Sequence, residues 1–408
     1  MATPTPTPTP SSLTPVPAQL PEVLIAEILK RLPVKTLVQF KCVCKSWHKL
    51  LTDPIFTNTH LHFTTPTRII LSRYFKSFLS LPLHPNPNPN PNPNPNPIEL
   101  PLSLNDAHTY YVKGHCNGLL LLIISDGTII LWNPTIARYR TLPTPSNFKE
   151  TREVLGFGYD SSTNDYKIVR APSSYCKLML KDYNPQIEVL SLNSNSWRKL
   201  PEAETPPYFI EHSQQSFYLN GAVYWLTLDD FCTLILRFDL AKESFARVPP
   251  PRDDIGRNMS WIGVINDSLC VLHSHQRSYF DIWATRDDFN WEKMITVFKT
   301  VDPEPCFSYL DYAPLCFVET GELLMSIRRK GLIAYDPNEQ CCRIIALLED
   351  ARWLQETVYT DSFVFPEEPS EVDQTGSSSG ALTRVISQML LGFSNAFMSR
   401  FAYRADSS

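Results

Sequence analysis

Three acidic pairs, Asp229-Asp230, Asp253-Asp254 and Asp287-Asp288, are by residue type suited to grip a basic substrate. All three fall among turn-forming residues, where a carboxylate commonly serves its own backbone or solvent. His60-x-His62 and His273-x-His275 would place two imidazoles on one face of a strand, a spacing that suits a metal. Neither has a third imidazole or a carboxylate close by in the chain, so no metal is expected. Cys42-x-Cys44 and Cys341-Cys342 lack a second pair at zinc spacing, and the ten cysteines are otherwise scattered, as reduced core thiols are. Gly156-x-Gly158 lacks the third glycine and the following helix of a dinucleotide loop. No nucleophile elbow, phosphate loop or kinase signature occurs. Catalysis and cofactors are therefore not expected. Tyr208, Phe209 and Trp261, near Pro206-Pro207 and Met259, are candidate contact aromatics, with core packing as the reading their chemistry favours.

The strongest pattern lies instead in residues 20–53, LPEVLIAEILKRLPVKTLVQFKCVCKSWHKLLTD. Pro21 suits a first helical turn, and Glu22 and Glu27 suit the positive end of a helix. Leu24, Ile25, Ile28, Leu29 and Leu32 make one apolar stripe, and Pro33 ends the helix at Leu32. Leu37, Phe40, Cys44, Trp47 and Leu51 then form a second amphipathic pattern, running to Thr52-Asp53-Pro54. So short a unit cannot bury all these side chains by itself, because domains below roughly 40 residues usually need staples or a partner. A partner protein is the expected supplier.

The run L-P-E-x-L-x-x-E-I-L-x-R-L-P-V-K-T-L-x-x-F-K-C-V-C-K-S-W resembles the F-box of plant F-box proteins. The resemblance implies a three-helix hook over residues 20–60 that binds the Skp adaptor of cullin-RING ubiquitin ligases. Carried over by position, the adaptor contacts would be Leu20, Pro21, Leu24, Ile28, Leu29, Leu32, Pro33, Leu37, Val43, Cys44 and Trp47. Val23 stands where many relatives carry an acidic residue.

The 408 residues, 43% hydrophobic and 12% aromatic, leave room for a sizeable core beyond this hook. A net charge of −5 gives no nucleic-acid signature, although the hook itself is basic through Lys30, Arg31, Lys35, Lys41, Lys45 and Lys49. No apolar run near 20 residues and no leader pattern is present, so a soluble protein of the cytoplasm or nucleus is expected. Asn258-Met259-Ser260 and Asn266-Asp267-Ser268 should then stay unglycosylated.

Residues 1–19 alternate Thr and Pro and read as a disordered tail. Arg68 to Phe75 reads as a strand. The Asn-Pro run at 84–97 reads as an exposed insertion loop unable to join a sheet, since proline has no N–H to offer. From Tyr110 the chain becomes short apolar runs parted by turns, an all-β pattern. A loose unit recurs: LLLLIIS then TIILWNPTIARYRTLP, IEVLSLNSNSWRKLP at 187–201, NGAVYWLTL then LILRFDLAKESFARVPP, DSLCVLHS then YFDIWATRDDFNWEKM, and GELLMSI then LIAYDPNEQCCRII. Asn133, Asn193, Asp239, Thr285 and Asp336 occupy comparable places, at a period near the roughly 40–50 residues of propeller blades.

GHCNGLLLL, LWNPTIARYRTLP, GFGYDSSTNDYKIV and SWRKL resemble the plant F-box-associated domain, as in S-locus F-box proteins and their paralogues. The resemblance implies an α+β multidomain chain: the all-α hook, then an all-β, kelch-like or propeller-like receptor over 66–366. A Gly/Ser-containing linker (367–380) and an amphipathic stretch (381–408, with Leu382, Ile386, Leu390, Phe393, Phe397 and Phe401) complete it. That stretch is expected to pack onto the β domain, with a partner groove or a membrane surface as alternatives. The implied function is the substrate-recognition subunit of a Skp-cullin-F-box (SCF) ligase, non-catalytic, with cullin reached through the adaptor. A scaffold that binds the adaptor alone is the alternative.

Overall fold

The computed structural model describes residues 22–61, 63, 68–73, 77–83, 96–98, 109–145, 148, 154–171, 173, 187–201, 209–210, 215–229, 232–252, 259–275, 279–298, 312–327, 331–347 and 353–366. The expected N-terminal tail, Leu20 and Pro21, the linker and the C-terminal amphipathic stretch lie outside them. Two compact units divide the chain, Met1–Phe63 and Thr64–Ser408.

The first unit holds α1 (Glu22–Leu29), α2 (Val34–Phe40), α3 (Lys45–Thr52) and α4 (Pro54–Leu61). α1 stops three residues short of the expected Leu32. Lys30 still bonds back to Ala26, but Arg31 and Leu32 close onto Ile28 and Leu29, and Pro33 keeps Leu32 out of the helical region. The second pattern is two helices, because Cys44 is extended (φ −159°, ψ 165°) and starts α3 anew. The second pattern ends at Thr52 as expected, with Asp53 closing α3, and Asp53-Pro54 then also opens α4: the Asp53 carboxylate accepts the Ile55 N–H at 3.0 Å and the proline takes the first turn. Leu29, Val34, Leu37, Leu51 and Phe56 make the core, and buried His60 donates from Nε2 to the Leu32 carbonyl at 3.0 Å. Burial lowers the His60 pKa, which suits a neutral imidazole in that role.

The second unit is all β. Its strands form four separate four-stranded sheets and one nine-stranded sheet. The nine-stranded sheet contains two four-stranded meanders, so the described residues make six four-stranded blades. The first joins the first and last described strands of the unit: β1 (Arg68–Arg73), β2 (Ser77–Pro82) and β3 (Asn96–Ile98) with β25 (Trp353–Tyr359) on their inner side. The second is β4 (Tyr110–Cys116), β5 (Leu119–Ile124), β6 (Ile129–Asn133) and β7 (Arg138–Leu142). The third is β8 (Val154–Asp160), β9 (Asp165–Ala171), β10 (Glu188–Ser191) and β11 (Ser196–Lys199). A short β12 (Phe209–Ile210) precedes the fourth, β13 (Ser216–Leu219), β14 (Ala222–Asp229), β15 (Cys232–Asp239) and β16 (Ser244–Val248). The fifth is β17 (Met259–Ile265), β18 (Ser268–His275), β19 (Tyr279–Thr285) and β20 (Glu292–Phe298). The sixth is β21 (Tyr312–Phe317), β22 (Leu323–Ile327), β23 (Gly331–Asp336) and β24 (Cys341–Leu347).

The inner strands touch in sequence, β4 to β8, β13, β17, β21 and β25. Gln355 on β25 closes the cycle onto Val112 of β4 with two hydrogen bonds, of 2.7 and 2.9 Å. Hydrophobic clusters lie between neighbouring blades, so sheets bury both faces, and β5 reads LLLLII with all six side chains buried rather than alternating. Gly114 lets β4 approach β13: a Cβ there would stand 2.4 Å from Ser216 Oγ, which donates to the Lys113 carbonyl.

The expected Asn-Pro loop is corrected at its end, where Asn96–Ile98 pairs antiparallel with β2 and sets Pro97 opposite Leu79. A proline is tolerated there because β3 is an edge strand whose outward side needs no N–H. The proposed repeat register is also corrected. Ala137, Asn195, Glu243 and Gln340 take positive φ at one shared turn position, each four residues after Asn133, Ser191, Asp239 and Asp336. The equivalent of Asn133 is thus Ser191, two residues before Asn193. Each of the four anchors accepts a turn N–H (Thr135, Ser194, Ala241, Asn338) at 2.8–3.2 Å.

Candidate functional site

On the hook, the residues singled out by sequence divide into surface and interior. Leu24 and Ile28, one turn apart on α1, are 50% and 52% exposed, and Val43 is 60% exposed. Pro33 and Cys44 are also exposed, while Leu32 and Trp47 are half-buried, Trp47 lying 5.2 Å from Phe40 between ring centroids. Leu29 and Leu37, at 1% and 0% exposure, sit inside the hook and support that surface from behind. Val23, noted above as a departure from its relatives, is 73% exposed, and the sequence reading missed Ile55 and Phe63, exposed at 75% and 56%. The Ser46 hydroxyl and the Trp47 amide, at the start of α3, pull the Cys44 thiol below its ordinary pKa. Leaving large aliphatic side chains half in water forgoes about 1 kcal/mol or more apiece, so this surface gains by being covered.

In the β unit the candidate acids serve structure where they are described. Asp287 accepts the N–H groups of Phe289 and Asn290 at 3.1 and 2.8 Å, and these bonds hold its carboxyl well below the usual range. Asp288 pairs with Arg237 at 3.1 Å and accepts from Tyr224 of the preceding blade. Asp229 ends β14, and Asp230, Asp253 and Asp254 lie outside the described residues.

His273 and His275 do meet, with rings 4.4 Å apart, and His275 Nε2 lies 2.8 Å from Asp281 Oδ2. The sequence reading missed Asp281, although the hairpin register, which sets His273 opposite it, could have found it. Among the described residues no group of three or more His, Cys, Asp or Glu is placed to hold a metal. His62 lies outside the described residues, as does Tyr208. Trp261 is half-buried against Phe217, at 6.3 Å between rings. No helix among the described residues is long and apolar enough to cross a membrane.

The β unit is held by charge and amide contacts between blades. Lys167 Nζ reaches Asp160 at 2.8 Å, Glu243 at 3.0 Å and the Leu240 carbonyl at 2.8 Å. Trp197 and Trp291 each donate from the indole to the proline that follows the preceding blade's outer strand, Pro143 at 2.6 Å and Pro249 at 2.9 Å.

Residues 18–59 match the F-box domain family, and residues 90–365 match the F-box associated beta propeller domain family. The chain is an F-box protein with an F-box-associated propeller. Its relatives include the putative F-box only protein 9 of Arabidopsis thaliana, 30% identical over 66% of this chain and 72% of that one. F-box protein CPR1 of the same plant is 27% identical over 78% of this chain and 82% of its own. Among solved structures, a chain of the nidogen/laminin complex aligns at TM-score 0.44 and 11% identity, over 71% of this F-box protein and 97% of that chain, a likeness too slight to argue from.

Proposed function

We propose that this F-box protein is the substrate-recognition subunit of an SCF-type ubiquitin ligase. The hook docks on a Skp-type adaptor, which brings cullin, while the propeller holds a target protein and so raises the effective concentration of its lysines at the ligase. The observation that carries the reading is the division of the hook: Leu29 and Leu37 fill its interior while Leu24, Ile28 and Val43 remain uncovered. An F-box of this size with its own core already formed has a surface left over for adhesion. The basic residues of the hook would speed encounter with an acidic adaptor.

Co-purification of the tagged full chain tests this. Adaptor and cullin should both be recovered, and both should be lost from a Leu24→Asp, Ile28→Asp variant that keeps its melting temperature. Recovery of the adaptor without cullin would favour a scaffold role, and unchanged recovery with the double variant would remove the assigned surface.

A further inference from the structure

Asn-Gly occurs twice in the chain, at Asn117-Gly118 and Asn220-Gly221, and each pair is the two-residue turn between a blade's inner strand and the strand beside it. All four residues are left-handed, with φ of 52° and 72° in the second blade and 47° and 78° in the fourth. Tight hairpins select Asn-Gly for that backbone. The dipeptide also carries a chemistry of its own, because the glycine nitrogen has no neighbouring side chain to shield it from the asparagine side-chain carbonyl. Whether that chemistry proceeds depends on how firmly each turn is held.

In the second blade the turn is locked. Asn117 Nδ2 donates to the Tyr166 hydroxyl at 3.0 Å, which commits the very amide that would have to react. Beyond β25, residues 360–366 run over this blade as a C-terminal strap: Ser362 donates to the Asn117 carbonyl at 2.7 Å, and Asn133 Nδ2 donates to the Val364 carbonyl at 2.9 Å. The Gly118 carbonyl accepts from Tyr359 at 2.8 Å, and Gly118 is buried beneath the strap. The fourth blade has no such cover. A Cβ added at Gly221 would meet no atom within 4 Å, and the exposed Asn220 side chain has no hydrogen-bond partner among the described residues. Two bonds hold Gly221, its N–H donating to the Tyr218 hydroxyl at 3.3 Å and its carbonyl accepting the Leu240 N–H at 3.0 Å.

We propose that Asn220 is a site of spontaneous deamidation, and that Tyr166 and the strap protect Asn117 from the same reaction. The Gly221 backbone nitrogen bonds to the Asn220 side-chain carbonyl carbon and gives up its proton, while the Cγ–Nδ2 bond breaks and the amide leaves as ammonia. Water then opens the five-membered imide at either carbonyl, giving aspartate or isoaspartate. Nothing is oxidised or reduced, and water is the sole co-reactant. The reaction proceeds from the opened turn, so its rate follows the population of that state. Each further hydrogen bond that opening must break slows it by up to about tenfold. The product puts a new carboxylate on the exposed turn, and isoaspartate also routes the main chain through a side-chain methylene, lengthening the link between β13 and β14. Because β13 pairs in parallel with β4 at Ser216 and Phe217, the change reaches the contact between the fourth and second blades.

Incubation of the full chain at mildly alkaline pH tests the proposal, followed by digestion at acid pH and peptide mass spectrometry with fragmentation that separates isoaspartate from aspartate. In the folded chain Asn220 should convert at least about tenfold faster than Asn117, with isoaspartate exceeding aspartate. In urea, where neither turn persists, the two sites should convert alike. Gly221→Ala puts its Cβ into open space in the fold but shields the attacking nitrogen, so it should slow conversion at Asn220 severalfold. Equal rates at the two sites in the folded chain, faster conversion at Asn117, aspartate without isoaspartate, or a Gly221→Ala rate equal to the parent's would each overturn it. An Asn220 that reacts in urea but stays intact in the folded chain would overturn it as well.

Discussion

Gln355 of β25 and Val112 of β4 are joined as two strand residues would be: the side-chain amide accepts the Val112 N–H at 2.7 Å and donates to its carbonyl at 2.9 Å. β4 has a register irregularity between Val112 and Gly114, and the amide pairs with the backbone beside it. One side chain thereby links the last described strand to the second blade.

Gln355→Leu should leave both Val112 groups, in a residue only 2% exposed, without their partner. A loss of about 1–3 kcal/mol is expected. In a domain this large the melting temperature should fall by roughly 2 °C per kcal/mol. Thermal unfolding of the full chain measures it, and an unchanged midpoint would show that the closure bears no load.

Gly118 and Gly221 occupy equivalent Asn-Gly turns with φ of +72° and +78°. An added Cβ at Gly221 meets nothing within 4 Å, but at Gly118 it would stand 2.4 Å from Ser362 Oγ and 2.7 Å from the Thr360 carbonyl. Gly221→Ala should therefore cost only the left-handed backbone term, about 1 kcal/mol. Gly118→Ala should cost about 1–3 kcal/mol more, because the C-terminal strap must shift. Equal denaturation midpoints for the two variants would contradict the strap's position.

Leu37 is fully buried in the hook, whereas Leu24 is half exposed. Leu37→Ala should destabilise the hook by about 2–5 kcal/mol. Leu24→Ala should stay within about 0.5–1 kcal/mol of the parent while weakening adaptor binding. Amide hydrogen exchange over α1–α3 in the full chain separates the two effects. Similar protection in both variants would mean that the core has been misassigned.

Acid should act in two stages. Burial pushes the His115 imidazole down to about 4, so the unfolded chain takes up its proton near pH 6.5 while the folded chain resists. Stability then rises with pH across that window and is lost as pH falls from about 6.5 towards 4. His115→Gln should flatten this limb. For Asp160, burial alone would raise the carboxyl, but bonds from Lys167, Ser162 and Thr163 outweigh it and hold it well below the usual range. For Glu243, burial is likewise outweighed, by Arg198 and Lys167. A depressed carboxylate stabilises above its unfolded pKa, so these contributions disappear as pH drops below about 4. Urea midpoints between pH 7 and 3 should show both limbs, and a His115→Gln profile parallel to the parent's would discount the first.

What the sequence determined by itself is whatever neighbouring residues settle together. The proline and apolar spacing of residues 20–53 specified short helices with an adhesive surplus, and the turn chemistry around Asn117-Gly118, Asn133, Asp239 and Asp336 specified hairpins at blade-like intervals. Tertiary structure decided what depends on residues far apart in the chain. It built the first blade from the first and last described strands, because β1 pairs with β25 across nearly three hundred residues. It drew Asn96–Ile98 of the Asn-Pro run into an edge strand, set Asp281 beside His275, and split one helical stripe into a buried Leu29 and an uncovered Leu24. A side chain's spacing fixes which face it occupies, but only the packed neighbours decide whether that face is covered.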